Sequence, residues 1–255
     1  MKIFAMAKMG VRADKTVCED SILFKADTCY GGVRSIIWGS VFQFEIPGSD
    51  GFIAAISDGI GGLAAGETAS RFILNSLAET DFPANPAGNQ ITAEIKSINE
   101  RLIKLSQTDE SLHRMGATLA GILTGADSAW LFHTGNSRIY VTNGSFLRQL
   151  TKDHTNSQGK PWKMRDNEIL SCMGGGKPEY LDMLQVMDVK QFLPKEGGDG
   201  KIIFTTDGIH DHMDNGDLED ILSQTRDNMS FCNAAIKLAL KNGSDDDISI
   251  MIITI

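Results

Sequence analysis

Residues 52–67 read FIAAISDGIGGLAAGE, an apolar run that ends in one aspartate, Asp58, and a glycine-rich turn. The run predicts a buried strand over 52–57, and the acidic residue after the turn marks a helix that begins near Glu67. A short carboxylate fixed by a rigid strand can bridge two cations, and Gly59 lets the backbone approach closely enough for its carbonyl oxygen to be a ligand. A plain tight turn before a helix explains the same letters equally well.

The composition limits the classes of protein that the chain can belong to. It has 255 residues, ordinary hydrophobic (42%) and charged (22%) fractions and a formal net charge of −9, which disfavours nucleic-acid binding. The four cysteines, at positions 18, 29, 172 and 232, have neither disulfide nor zinc spacing and indicate reduced thiols. The N-terminus lacks the apolar segment of a signal peptide, and no apolar run approaches a membrane span. We therefore expect a cytoplasmic protein with no membrane partner.

Strands and helix pairs alternate along the chain. β-rich runs predict strands at 3–8, 21–26, 52–57, 183–189, 201–206 and 248–254. Apolar residues at helical spacing predict one helix pair at 67–79 and 92–106 and a second pair at about 217–225 and 230–241. Ser230 is the expected N-cap of the last helix, and Asn242-Gly243 its expected C-terminal cap. This order predicts an α+β fold in which antiparallel sheets pack between helix layers.

Residues 115–150 predict an antiparallel meander of four strands, because short links cannot join parallel strands. Asn143-Gly144 is the expected hairpin turn, with both residues at positive φ. The following stretch, 151–182, shows no clear periodicity and contains three consecutive glycines. We interpret it as a long surface segment, either one that flanks a site or a plain connector.

Carboxylates stand at the ends of four predicted strands: Glu19-Asp20 before 21–26, Asp58 after 52–57, Asp207 after 201–206, and the run at 245–247 before 248–254. A single such acid is usually a turn former or a helix cap. Four around a shared core would repel one another unless a cation lay among them. Oxygen ligands without His or Cys suit Mg²⁺ or Mn²⁺.

The chain resembles the metal-dependent protein phosphatases, the type 2C serine/threonine phosphatases. The resemblance is carried, in order, by CEDS (18–21), SDGIGGLAAGETAS (57–70), MGATLAG (115–121), TGNSRIYV (134–141), LTKDHT (150–155), TTDGIHD (205–211) and DDISIMI (246–252). It implies a four-layer α-β-β-α sandwich, with two antiparallel sheets flanked by helix pairs, and a single catalytic domain over 1–255. It also implies hydrolysis of phosphoserine and phosphothreonine by a water activated at a binuclear Mg²⁺ or Mn²⁺ centre.

The resemblance assigns roles position by position. Asp58 resembles the ligand that bridges both metals, and Asp207 and Asp246 resemble ligands of the first, so these three would act in catalysis through the metal-bound water. The Gly59 carbonyl resembles a ligand of the second metal, which Glu19 and Asp20 would hold directly or through its waters.

The chain departs from the family pattern at several of these positions. The residue before Glu19 is Cys18 where the family commonly has Asn, and the usual Asp-Asn near the C-terminus is Asp246-Asp247. Asn136 replaces an Asp that helps to bind a third metal in bacterial relatives. Asn136 with Asp207 would form that third site, but the amide brings an oxygen without a charge.

The position of the phosphate-binding arginine is Lys15. Lys15, or the nearby Arg12, would bind the substrate phosphate, although lysine lacks the bidentate fork of arginine. An ordinary surface charge is the alternative for either residue.

Two functions are therefore open. The first is a protein serine/threonine phosphatase that acts on a phosphorylated protein and opposes a serine/threonine kinase. The second is a phosphatase-fold binding or regulatory protein with little turnover, suggested by Cys18, Lys15 and Asn136. The presence of all the core acids favours the enzyme.

Overall fold

The computed structural model describes residues 1–11, 15–26, 34–35, 41–45, 51–60, 65–144, 146–156, 168–195 and 197–255. The strands are β1 (Lys2–Lys8), β2 (Ser21–Ala26), β3 (Arg34–Ser35), β4 (Val41–Glu45), β5 (Phe52–Ser57), β6 (Gly116–Ala117), β7 (Leu119–Thr124), β8 (Ala129–Thr134), β9 (Arg138–Asn143), β10 (Phe146–Gln149), β11 (Met173–Gly174), β12 (Gln185–Asp188), β13 (Lys201–Thr205) and β14 (Ile248–Thr254). The α-helices are α1 (Gly66–Glu79), α2 (Gly88–Ser106), α3 (Asp207–His210), α4 (Asn215–Gln224) and α5 (Asn228–Lys241).

These strands form two large antiparallel sheets. The first sheet has the order β10-β9-β13-β14-β1-β4, and the second has the order β12-β8-β7-β5-β2-β3. A small third sheet pairs β6 with β11. Chain neighbours such as β13 and β14 pair across long connections, so the sheets are held together mainly by contacts between distant parts of the sequence.

Alternation along the central strands produces four layers. In β14, Met251 and Ile253 lie in the core between the sheets, whereas Ile250 and Ile252 pack against α4 and α5. The second sheet behaves in the same way, since its outer face is covered by α1 and α2. Successive side chains of a strand point to opposite faces, so a strand covered on both faces is apolar throughout. The predicted α-β-β-α sandwich is confirmed.

The predicted helix pairs are present, with shifts at their N-termini. Helix α2 begins at Gly88 rather than at 92, because the Gln90 side chain accepts a 2.8 Å hydrogen bond from the Ala87 N–H and satisfies the first turn. The prediction that Ser230 caps α5 is wrong. Asp227 is the N-cap, and its carboxylate accepts hydrogen bonds from both the backbone N–H and the hydroxyl of Ser230, at 2.8 Å each. Such a side-chain acceptor satisfies an N–H that the helix leaves unpaired.

The prediction of one four-stranded meander over 115–150 is wrong. The hairpin of β7 and β8 belongs to the second sheet, and the hairpin of β9 and β10 belongs to the first. The chain crosses between the sheets just after β8, where Gly135 takes a φ of +100°. A short loop fixes pairing within a hairpin, but a glycine at positive φ can direct the next strand out of the sheet.

The β9–β10 hairpin forms, but its turn is not Asn143-Gly144. Asn143 pairs with Phe146 and is therefore the last residue of β9 rather than a turn residue. Gly144 has a φ of +61° and supplies the left-handed conformation of the turn.

The described part of 151–182 is more deeply embedded than the sequence indicates. Met173 is fully buried, β11 pairs with β6, and the Gly174 N–H donates a 2.7 Å hydrogen bond to the Asn99 side chain on α2. The interpretation as a surface segment is therefore wrong for 171–174. Residues 157–167 lie outside the described residues.

The cysteines and the helices bear on two expectations from composition. Cys18, Cys172 and Cys232 are buried free thiols, as expected for reduced cysteines, and Cys29 lies outside the described residues. Among the helices of the described ranges, none combines the length and the apolar character needed to cross a membrane.

Candidate metal centre

Asp58 directly follows β5, and Thr118 holds its backbone on both sides. The Thr118 N–H donates to the Asp58 carbonyl at 2.8 Å, and the Asp58 N–H donates to Thr118 Oγ1 at 3.0 Å. Thr118 lies at the break between β6 and β7, where the ladder leaves its backbone available for these bonds. The Asp58 side chain is therefore fixed by rigid strands on two sides.

Gly59 and Gly66 let three chain segments approach one another. The Gly59 N–H donates to the Glu19 carbonyl at 3.1 Å. A Cβ on Gly59 would lie 2.4 Å from the Gly66 carbonyl carbon, and a Cβ on Gly66 would lie 2.6 Å from Glu19 Oε1. At Gly59 the contact is between backbones and excludes any side chain, whereas at Gly66 a side chain would meet the Glu19 carboxylate. Residues 61–64, with Gly61 and Gly62, lie outside the described residues.

Strand pairing brings the distant acids to one edge of the sandwich. In the second sheet, Ser21 pairs with Ser57, so the acids before β2 lie beside the acid after β5. In the first sheet, Thr205 pairs with Ile250, so Asp207 and the acids before β14 share one edge. Thr206 Oγ1 on the first sheet donates a 2.9 Å hydrogen bond to Asp20 Oδ2 on the second. The two sets of acids therefore face each other across the ends of the two sheets.

Asp247 has a structural task that the sequence analysis did not assign. It is 2% exposed, and its carboxylate accepts the backbone N–H of Gly10 at 2.8 Å and of Glu19 at 2.6 Å. Hydrogen bonds of this kind hold the N-terminal segment and the segment before β2 against β14. No local pattern predicts this role, because both partners are more than 200 residues away in the sequence.

The acids lie close enough together to raise one another's pKa values. Burial raises the pKa of Asp58 well above its usual value, and the charges of Asp20 and Asp207 raise it further. Burial and the charges of Asp211 and Asp246 raise the pKa of Asp207 to about 7. Such shifts arise where carboxylates are crowded, and a cation placed among them relieves the repulsion.

The donor set suits hard divalent ions. Asp58, Asp207 and Asp246 are only partly buried and can meet a ligand from solvent, whereas Asp20 is fully buried. Asp20 Oδ1 and Asp207 Oδ1 are buried oxygens that accept no hydrogen bond from the described residues. Buried oxygen atoms without a donor are the groups that a Mg²⁺ or Mn²⁺ ion would satisfy.

Lys15 lies inside this group of acids. Its Nζ is 2.8 Å from Asp246 Oδ1, 2.8 Å from Asp247 Oδ2 and 3.1 Å from Glu19 Oε2. Burial alone would lower the pKa of Lys15, but its hydrogen bonds to Asp246 and Asp247 outweigh that effect and raise it above the usual value. Within the described ranges, no three His, Cys, Asp or Glu side chains are arranged as they stand to hold a metal ion. Three of the carboxylates converge instead on an ammonium group.

Asn136 lies beside Asp207, as the proposed third site requires. Its Nδ2 donates a 3.0 Å hydrogen bond to Asp207 Oδ2, and its Oδ1 is buried without a donor among the described residues. In this orientation the amide nitrogen of Asn136, which is not a metal ligand, points at the Asp207 carboxylate. A cation shared by the two residues would require the amide to turn so that its oxygen points there instead. The third site therefore stays a prediction.

Behind Asn136, a buried polar cluster supports the turn between the sheets. Arg138 Nε donates to both carboxylate oxygens of Asp153, at 2.8 and 3.0 Å, and Arg138 Nη2 forms a further close bond to the same group. Ser137 Oγ is 2.7 Å from Thr118 Oγ1, the group that holds Asp58. The GNSR and GATLAG segments are therefore joined directly beneath the acids.

His133 and His154 complete this cluster, with ring centroids 4.8 Å apart. His133 Nε2 lies 3.0 Å from the Ser137 carbonyl, which can only accept, so Nε2 carries the proton. Burial, and then the neighbouring His154, lower the pKa of His133 from 6.5 to about 3. His133 is therefore neutral in the folded protein at every pH near neutrality.

We expect the pH dependence of stability to reveal His133. Its pKa is lower in the folded than in the unfolded chain, so its stabilising contribution is present above pH 6.5 and decreases as the pH falls towards 3. The free energy of unfolding of the native protein should therefore fall, relative to that of His133→Gln, by about 1 kcal/mol per pH unit below pH 6. Urea unfolding of both proteins between pH 7 and 5 measures this difference. The titration of the acids contributes equally to both proteins and therefore cancels. Parallel curves for the two proteins would contradict the prediction.

Comparison with known proteins finds bacterial relatives at 26% identity. The serine/threonine phosphatase stp of Listeria welshimeri is 26% identical over 213 residues, which cover 79% of this chain and 83% of that protein. The serine/threonine protein phosphatase PstP of Mycobacterium tuberculosis is 26% identical over 208 residues, which cover 78% of this chain. The chain is therefore similar to bacterial serine/threonine phosphatases over more than three quarters of its length. No protein-family model matches it.

Solved structures share the fold of this chain. The crystal structure of the serine/threonine phosphatase Stp1 from Staphylococcus aureus has a TM-score of 0.74 and 21% identity, and the match covers 98% of this chain and 94% of that one. The match to the mycobacterial relative covers only 40% of that protein's length.

Several expected site residues are brought together by the fold. Glu19, Asp20, Asp58, Asp207 and Asp246 meet at one edge, with the Gly59 backbone beside them. Their roles as metal ligands stay predictions, as does the role of Lys15 in phosphate binding. Arg12, the other expected phosphate ligand, lies outside the described residues.

Proposed function

We propose that the chain is a protein serine/threonine phosphatase that uses two Mg²⁺ or Mn²⁺ ions. The observation that carries the proposal is the meeting of three partly exposed acids, Asp58, Asp207 and Asp246, from three distant parts of the chain. The names of the bacterial relatives support the same activity. The alternative, a binding or regulatory protein with little turnover, is not favoured, because every core acid is retained.

The chain supplies positions and charge rather than a nucleophile of its own. When bound, the two ions activate a water molecule and neutralise the phosphoryl oxygens for in-line attack. Asp58 would hold both ions, Asp207 and Asp246 the first, and the Gly59 carbonyl with Glu19 and Asp20 the second. The end of β5 and the two hydrogen bonds between Thr118 and the Asp58 backbone keep Asp58 in place, so little reorganisation accompanies the reaction.

The remaining features of the function follow from the class of reaction. The substrate would be a phosphorylated protein, and a serine/threonine kinase would supply it. The net charge of −9 gives no support to a nucleic-acid partner. The cytoplasmic location and the extent of the catalytic domain over 1–255 stay predictions.

Titration with Mn²⁺ tests the proposal. We expect phosphate release from a chromogenic phosphate ester and from a phosphothreonine peptide to rise from background to saturation as Mn²⁺ is added. A chelator should return the rate to background. Absence of metal-dependent release from both substrates would remove the enzyme function and would favour the binding alternative.

A further inference from the structure

The Lys15 side chain lies buried among the carboxylates of the candidate metal centre and is not a surface charge. Its side chain is only 5% exposed, and its three nearest acids are Asp246, Asp247 and Glu19, at 2.8, 2.8 and 3.1 Å from Nζ. An ammonium group has three N–H donors and no acceptor, so these three carboxylates saturate it. The cluster therefore contains a complete site for one positive charge.

Two of these three partners are the expected ligands of the divalent ions. Asp246 Oδ1 directs its lone pair at Nζ, and Glu19 Oε2 does the same. A Mg²⁺ ion binds its oxygen ligands at about 2.0–2.1 Å, so an ion on Asp246 Oδ1 would lie in contact with the ammonium. Two cations at this separation repel strongly in a partly buried site. Lys15 and the divalent ion therefore compete for the same carboxylate oxygens.

We propose that Lys15 is a built-in competitor of the divalent cation, and that metal binding at Asp246 requires its ammonium group to leave the carboxylates. The inference rests on the metal-binding half of the proposed function. Asp247 holds the ammonium group of Lys15 more firmly in this position, because this buried acid contacts Nζ and is not itself an expected metal ligand. The same ammonium is unavailable to a substrate phosphate until an ion displaces it.

The affinity for Mn²⁺ tests the inference without any measurement of turnover. We expect Lys15→Met to bind Mn²⁺ at least about 10-fold more tightly than the native protein, as measured from the electron paramagnetic resonance signal of free Mn²⁺. Lys190→Met removes the same charge from an exposed lysine that pairs with Asp127, and it should leave the affinity unchanged within about twofold. Equal or weaker Mn²⁺ binding by Lys15→Met, or no binding by either protein, would overturn the inference.

A second variant and a measurement on the native protein cover the case in which Lys15→Met does not fold. Lys15→Gln keeps a hydrogen-bond donor without the charge, and it should also bind Mn²⁺ more tightly. In the native protein, the rate of chemical acetylation of Lys15, measured by mass spectrometry, should increase several-fold when Mn²⁺ saturates the site. The acetylation rate of the exposed Lys190 is the reference. Lys15 that stays protected with Mn²⁺ bound would also overturn the inference.

The two proposals fail in different experiments. If the protein released no phosphate but Lys15→Met gained Mn²⁺ affinity, the proposed activity would fall and the competition would stand. If phosphate release were metal-dependent but Lys15→Met bound Mn²⁺ no better, the competition would fall and the phosphatase would stand.

Discussion

Asp58→Asn is expected to lower metal-dependent phosphate release at least about 10³-fold. Asp58 is the acid proposed to hold both ions, and amide oxygen carries no charge to hold them together. Loss of the ion pair removes several kcal/mol of transition-state stabilisation, and about 1.4 kcal/mol corresponds to a factor of ten in rate. Steady-state rates at saturating Mn²⁺ with the chromogenic ester measure the loss.

The same variant should fold normally without metal. Burial and the charges of Asp20 and Asp207 raise the pKa of Asp58, which means that its charge is unfavourable in the metal-free protein. The melting temperature in chelator should therefore stay equal or rise. The increase on addition of Mn²⁺ should largely disappear, because a ligand bound only by the folded state stabilises it in proportion to its affinity.

Asp127→Asn is the matched control for this experiment. Its side chain is 87% exposed and pairs with the exposed Lys190, so the same chemical change should alter neither the rate nor the response to Mn²⁺. If Asp58→Asn kept a tenth or more of the native rate, Asp58 would not hold the ions.

Arg138→Met is expected to destabilise the protein by about 3–5 kcal/mol, the usual cost of breaking a buried ion pair from one side. The Arg138 side chain is 7% exposed and that of Asp153 is 15% exposed, so the carboxylate would be left poorly solvated and without its arginine. Arg138 also donates to the Tyr140 hydroxyl at 3.4 Å. Urea unfolding at neutral pH measures the change.

Two further variants isolate the cause of the loss. Arg101→Met removes an arginine that is 47% exposed and forms a long, 3.6 Å ion pair with Glu94. This substitution should lower the free energy of unfolding by less than about 0.5 kcal/mol. The double variant Arg138→Met with Asp153→Asn should recover part of the stability, because the unpaired charge is gone. Equal stability of Arg138→Met and Arg101→Met would show that the buried pair contributes nothing.

Much of the fold could be predicted because its signals are local. The apolar run at 52–57 and the β-branched run at 248–254 became the central strands β5 and β14. Helical spacing located both helix pairs, although their first turns depend on side-chain caps such as Asp227 that periodicity does not show. Acids at strand ends also indicated which carboxylates would meet at one edge, since antiparallel pairing brings such ends together.

The sequence by itself determined most of the strands and helices and which acids end the strands, because alternation, helical spacing and turn residues act over a few residues. It did not predict the strands β3, β4 and β11. Only the tertiary structure decided that β8 and β9 belong to different sheets, that Asp247 holds Gly10 and Glu19, and that Lys15 enters the acidic cluster. Each of these depends on groups far apart in the chain, such as Lys15 and Asp246. Their meeting is set by sheet register and packing, which no local pattern encodes.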